Sequence, residues 1–105
     1  MQTITVEALK AKLDAGEKIN LVDVREPHEH EAFNIGGILL PLGHVQSLQL
    51  DDIEDMKEEI IYVYCRSGKR SSNAAAKLKE QGFTKIYDLQ GGIINWEKNN
   101  FKIIN

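Results

Sequence analysis

Apolar positions along the chain change their period several times, and each change marks an element. Residues 2–4 suit a short strand. Behind Thr5, whose hydroxyl suits a helix N-cap, Val6, Leu9 and Leu13 fall on one helical side, and Gly16 provides a stop. A strand follows over 19–24. Pro27 then suits the first turn of a short helix, with Glu26, Glu29 and Glu31 near its positive end and Gly36 and Gly37 closing it. The segment ILLPLGHV is apolar but interrupted by Pro41 and Gly43, which predicts a short strand or extended connection and then a turn. A weak helix with a solvated acidic side is expected over 48–57. Residues 60–64 are β-branched or aromatic without a break, the pattern of a central parallel strand covered on both faces. Ser71, Ser72 and Asn73 offer capping side chains to a helix starting just past Arg70 and running to about Gln81, with Gly82 at its C′ position. A strand over 85–89, a tight turn at Gly91 and Gly92, and a last helix anchored by Ile93 and Trp96 complete the order.

Strands that alternate with helices imply parallel βαβ units and an α/β fold. Such sheets hold their ligands beyond the carboxyl ends of the strands, and Cys65 stands at one of those ends. At 105 residues the chain has the length of one domain, residues 1–105, able to bury somewhat over ~60% of its unfolded surface. A single cysteine forms no internal bridge, no stretch approaches the length of a membrane span, and MQTITVEALK lacks the basic and apolar regions of an export signal. A cytoplasmic protein with a reduced thiol is expected. The net charge of −3 disfavours nonspecific nucleic-acid binding, which needs a basic face.

Positive charge is instead local. Arg66, Lys69 and Arg70 follow Cys65 directly, with Gly68 allowing a sharp turn, so an acidic body carries one small cationic loop suited to a small anion. Thiolate is the reactive form of cysteine, and helix N-termini and cations favour it. Cys65 therefore reads as a nucleophile, against the plainer reading of a small buried hydrophobe at a strand end. Asp23 and Arg25 lie two apart and share a side if the strand is extended there. Either can face the Cys65 loop, and support is favoured over catalysis, the alternative being a structural ion pair. His28 and His30, interleaved with Glu29 and Glu31, have no second cluster that would complete a metal site, and exposed polar residues on a short helix are the expectation. The sequence does not place His44 relative to the loop. Trp96 and Phe101 are expected to pack the last helix on the core.

Taken together, LVDVREPHEHEAF, VYCRSGKRS and GGIINW, in this order and over nearly the whole chain, resemble the three signatures of the rhodanese-like sulfurtransferase family, in its small single-domain form. One departure is that many members carry Gly-His-Ile where this chain has Phe33-Asn34-Ile35 before Gly36 and Gly37. The resemblance implies a five-stranded parallel sheet flanked by helices on both faces, and a cysteine that becomes persulfidated. On that pattern the Cys65 thiolate takes the outer sulfur of thiosulfate or a persulfide and passes it to cyanide or to a thiol such as glutathione or a thioredoxin-like protein. Backbone amides over Arg66, Ser67, Gly68, Lys69 and Arg70 are implied to cradle the persulfide. Arg66 and Lys69 would attract the oxyanion, while Arg70 closes the loop, and the cationic pattern favours thiosulfate over mercaptopyruvate. No cofactor and no metal is implied.

Two other functions use similar residues. Phosphatases and arsenate reductases place a cysteine loop around a tetrahedral oxyanion, in a pattern resembling cysteine, five residues, then arginine. Here four residues separate Cys65 from Arg70, a tighter ring that suits sulfur. A non-enzymatic sulfur carrier or regulatory module is the other, and its residues would be identical.

Overall fold

The computed structural model describes residues 2–103. Five strands, β1 (Thr3–Ile4), β2 (Leu21–Asp23), β3 (Ile38–Leu39), β4 (Ile61–Tyr64) and β5 (Ile86–Leu89), form one sheet in the order β1-β5-β4-β2-β3. All four pairings are parallel. Parallel neighbours need crossovers, which α1 (Val6–Asp14), α2 (Pro27–Ala32), α3 (Leu42–Gln46), α4 (Lys69–Glu80) and α5 (Gly92–Lys98) supply or extend. The five-stranded parallel α/β expectation holds. β4 lies at the centre, and all four of its residues are buried, as a strand covered on both faces requires.

Alternation along the strands divides the core in two. Val22, Val24, Ile61, Val63, Cys65 and Ile86 pack with Val45 of α3 and Ala74, Ala75 and Leu78 of α4. Leu21, Tyr62, Tyr64 and Leu89 pack on the other side with Val6 and Leu9 of α1 and Ile93 and Trp96 of α5. Phe101 meets Trp96 edge to face at 5.1 Å, so both aromatics serve the core as expected. Among the described residues no helix is long and apolar enough to cross a membrane.

Local chemistry explains where the elements start and stop. Thr5 Oγ1 accepts the Ala8 amide at 3.0 Å and caps α1, and Gly16 takes φ +76° just beyond it. Four features differ from expectation. The second strand spans only Leu21–Asp23, and Ile60, expected in β4, lies outside it and is exposed. Pro41 does not break the chain but serves as the N-cap of α3, because a fixed proline φ fits a helix start as well as a turn. In place of a helix over 48–57 there is a 3₁₀ helix, Asp51–Met56, which buries Ile53 and leaves its carboxylates outward.

Candidate active site

β4 ends at Tyr64, and Cys65 follows with 1% of its surface exposed, its side chain on the α4 side of the sheet. The chain then reverses through Gly68 at φ +110°, a left-handed value that favours glycine, and Gly68 is the N-cap of α4. The helix thus begins at Lys69, two residues earlier than its serines suggest. Ser71, Ser72 and Asn73 lie within it and no side chain caps it. The first-turn amides of an α-helix have no intrahelical acceptor. One of them, Ser71 N–H, donates to Cys65 Sγ at 3.3 Å, and Gly68 N–H donates to the same sulfur at 3.1 Å. Two backbone donors with the positive end of α4 behind them favour negative charge at Sγ.

The last helix holds this loop from the other side. Ile93 N–H donates to Cys65 O at 2.9 Å and Ile94 N–H to Arg66 O at 3.0 Å. Gly92 makes the approach possible: it takes φ +60°, and a Cβ there would stand 2.5 Å from both Cys65 O and Arg66 O. The GGIINW segment therefore secures the backbone of the cysteine loop with the N-terminus of α5.

The loop cations divide into two kinds. Arg66 and Lys69 are exposed, as is Ser67, and neither cation makes an ion pair among the described residues. Arg70 instead turns to Glu29 of α2, with its two terminal nitrogens 2.6 and 2.9 Å from the two carboxylate oxygens. Hydrogen bonding from Arg70 holds the Glu29 carboxyl well below its ordinary range, at about 2, and the same pair raises Arg70. Glu29 Oε1 also accepts the Glu26 amide at 3.0 Å, so the capping box of α2 orients the carboxylate that grips the loop.

Asp23 and Arg25 do not face Cys65. They are both buried, but alternation carries their side chains to the opposite face of the sheet from Val24 and Cys65, where they pair at 2.8 Å. Arg25 also donates to Phe33 O at 2.7 Å and lies over the Phe33 and Tyr64 rings at 5.5 and 5.7 Å. Burial opposes the Arg25 charge, but Asp23 more than compensates, and its pKa is raised. His30, expected to be exposed, is half-buried with Nδ1 2.8 Å from Asp23 Oδ2. The Tyr64 hydroxyl donates to Gly36 O at 2.9 Å and accepts Ile35 N–H at 3.3 Å, and burial raises its pKa. Through these contacts the Asp23–Arg25 pair and Tyr64 fix the 33–36 segment. The link from that region to the loop is Glu29. His44 lies exposed on α3 beside Leu40, Gln49, Asp51 and Asp52, around a cavity of about 250 Å³. It makes no hydrogen bond with Cys65, and no group of metal-ligating side chains occurs among the described residues.

Sequence reasoning missed Ser71 and Asp88 as neighbours of the sulfur. Ser71 Oγ lies 3.4 Å from Cys65 Sγ and 2.5 Å from Asp88 Oδ1 on β5. An aspartate inside an apolar strand was the available signal: Asp88 breaks the run IYDL.

This geometry has close parallels. The rhodanese-like domain family matches residues 5–99. A sulfurtransferase of Allochromatium vinosum is 36% identical over 102 residues, covering 96% of this chain and 92% of its own. The Bacillus subtilis protein named "Putative sulfur carrier protein YrkF" is 39% identical over 94 residues, 89% of this chain but 49% of its own, so the chain spans about half of that relative. In three dimensions, a rhodanese-related protein from Thermoplasma volcanium superposes with a TM-score of 0.84 at 26% identity, covering 99% of this chain and 98% of the other. With its parallel five-stranded sheet, its cysteine loop and the family match over residues 5–99, the chain belongs to the rhodanese-like domain family.

Proposed function

We propose that this protein is a sulfurtransferase that carries sulfane sulfur as a Cys65 persulfide, with thiosulfate or a small persulfide as donor. The observation that carries the reading is the sulfur's setting. Cys65 Sγ is shielded from water and held by the Gly68 and Ser71 amides, while Arg66 and Lys69 stand exposed at the same loop and without ion pairs among the described residues. The cradle suits an anion on sulfur, and the two cations suit an anionic donor arriving from solvent.

In the first half-reaction the Cys65 thiolate attacks the sulfane sulfur of thiosulfate. A Cys65–S bond forms, the sulfur–sulfur bond of thiosulfate breaks, and its electron pair leaves with sulfite. In the second, cyanide or a thiolate attacks the outer persulfide sulfur and departs as thiocyanate or as a new persulfide, which restores the Cys65 thiolate. Arg66 and Lys69 attract and orient the donor, Arg70 closes the loop through Glu29, and the buried Asp23–Arg25 pair supports the framework from the other face of the sheet. Glutathione or a thioredoxin-like protein in the cytoplasm would serve as acceptor.

A phosphatase is less well supported, because Arg70 is committed to Glu29 and the ring from Cys65 is short. Similarity to YrkF favours a second reading in which the same persulfide is handed to a protein partner rather than turned over with small molecules. A donor panel of thiosulfate, mercaptopyruvate and glutathione persulfide, with cyanide or glutathione as acceptor, tests the proposal. Turnover with thiosulfate or the persulfide that disappears in Cys65→Ser is expected. Cys65-dependent hydrolysis of a phosphomonoester without sulfur transfer would contradict it.

A further inference from the structure

Asp88 is a buried charged group that the chemistry above leaves without a task. It lies on β5 with 7% of its surface exposed, on the α4 side of the sheet. The strand residues in register with it are Thr3 of β1 and Val63 of β4, neither of which titrates. No cation pairs with it among the described residues, and its side-chain partner is Ser71, 2.5 Å away. Ser71 Oγ stands between two titratable groups, Cys65 Sγ at 3.4 Å and Asp88 Oδ1 at 2.5 Å, and its hydroxyl is also within donating distance of the Gly68 carbonyl oxygen at 3.2 Å. Burial pushes the Asp88 carboxyl up, opposed in part by the Ser71 hydrogen bond.

A serine hydroxyl owns one hydrogen and accepts through its lone pairs. While Asp88 is ionised, that hydrogen is directed to Asp88, and Ser71 Oγ can only accept from a Cys65 thiol. Once Asp88 is protonated, its O–H donates to Ser71 Oγ and the serine hydrogen is free for its two other neighbours, Gly68 O at 3.2 Å and Cys65 Sγ at 3.4 Å, of which a thiolate is the charged and stronger acceptor. Sγ then has three donors, Gly68 N–H, Ser71 N–H and Ser71 Oγ–H.

We propose that Cys65 and Asp88 share one proton through Ser71. The thiol proton passes to Ser71 Oγ as the serine proton passes to Asp88 Oδ1, which leaves a Cys65 thiolate, a neutral serine and a neutral Asp88 carboxylic acid. No charge enters or leaves the site, so a thiolate forms at a nearly inaccessible sulfur without a proton having to reach solvent. Ser71 and Asp88 are positioning residues, and their role rests on the nucleophilic reading of Cys65. The other charged groups around the sulfur are Arg66 and Lys69 of the loop and Arg70, whose charge acts on Cys65 and is held by Glu29 of α2. The mutual pairing holds the Glu29 carboxyl low and raises Arg70, so that pair sets a constant background for the shared proton.

The test is the pH dependence of Cys65 alkylation by iodoacetamide in the wild type, Asp88→Asn, Ser71→Ala and the double variant. In Asp88→Asn the side-chain amide donates to Ser71 Oγ and turns the serine hydrogen onto sulfur, so the alkylation midpoint moves to lower pH by about one unit or more. Ser71→Ala moves it the other way, and in that background Asp88→Asn has less than about half its former effect. An Asp88→Asn profile that tracks the wild type, or an equal shift in both backgrounds, overturns the shared proton. Infrared spectroscopy of the wild type and Cys65→Ser decides the matter even if the Asp88 or Ser71 variants fail to fold. A protonated-carboxyl band should persist in the wild type to a pH at which Cys65→Ser has lost it, and its loss at the same pH in both overturns the proposal. These readouts need no sulfur donor, so unshifted profiles beside intact sulfur transfer would remove the relay alone, while shifted profiles without transfer would remove the donor assignment alone.

Discussion

Replacing Glu29 with glutamine removes one charge and should loosen the cysteine loop by an amount the geometry allows one to work out. The carboxylate receives both terminal nitrogens of Arg70 and the Glu26 amide, and its pKa falls from 4.5 to about 2. A shift of about 2.5 units corresponds to a ceiling of about 3.4 kcal/mol. The side chains of Arg70 and Glu29 remain 33% and 20% exposed, so solvent screening reduces this to about 1–2 kcal/mol. Because the folded value is depressed, the stabilisation is fully present above the unfolded value of 4.5 and is lost as pH falls through about 2. Thermal unfolding followed by circular dichroism should show Glu29→Gln melting about 5–15 °C below the wild type at pH 7. The gap should narrow steadily below pH ~4.5. Equal melting temperatures at pH 7, or a gap that widens in acid, would refute the assignment of Glu29 as the clamp on Arg70.

Other consequences concern the loop itself. Gly92→Ala places a Cβ 2.5 Å from two loop carbonyls at φ +60°, which should cost about 3 kcal/mol in urea unfolding and slow Cys65 alkylation; wild-type stability would show that α5 does not press on the loop. Lys69→Ala should raise the thiosulfate KM about tenfold, the value of a charge-assisted contact of about 1.5 kcal/mol, and affect persulfide acceptance less. Equal losses with both donors would mean that Lys69 builds the loop rather than reads the anion.

Much of this was legible in the sequence because it rests on local signals. Residues 60–64 announce a central strand by unbroken β-branched and aromatic character, and four of them form β4. Cys65 could be singled out because a strand end, a glycine and three cations coincide there. Helix starts were harder where two signals compete. Three capping residues in a row drew the start of α4 past Arg70, yet Gly68, the only loop residue free to adopt φ +110°, took the N-cap and freed Ser71 to reach Asp88. The partners of Arg70 and Asp88 lie 41 and 17 residues away along the chain, separations that no periodicity encodes. The side of the sheet chosen by Asp23 and Arg25 depends on a register that shows only when β2 is paired with β4.

Acceptance of sulfane sulfur by Cys65 is read most directly from the mass of the intact protein. Freshly reduced protein incubated with thiosulfate and examined by intact mass spectrometry should gain one sulfur, about 32 mass units, which cyanide then removes, with no gain in Cys65→Ser. A wild-type mass that stays unchanged with both thiosulfate and glutathione persulfide would contradict it.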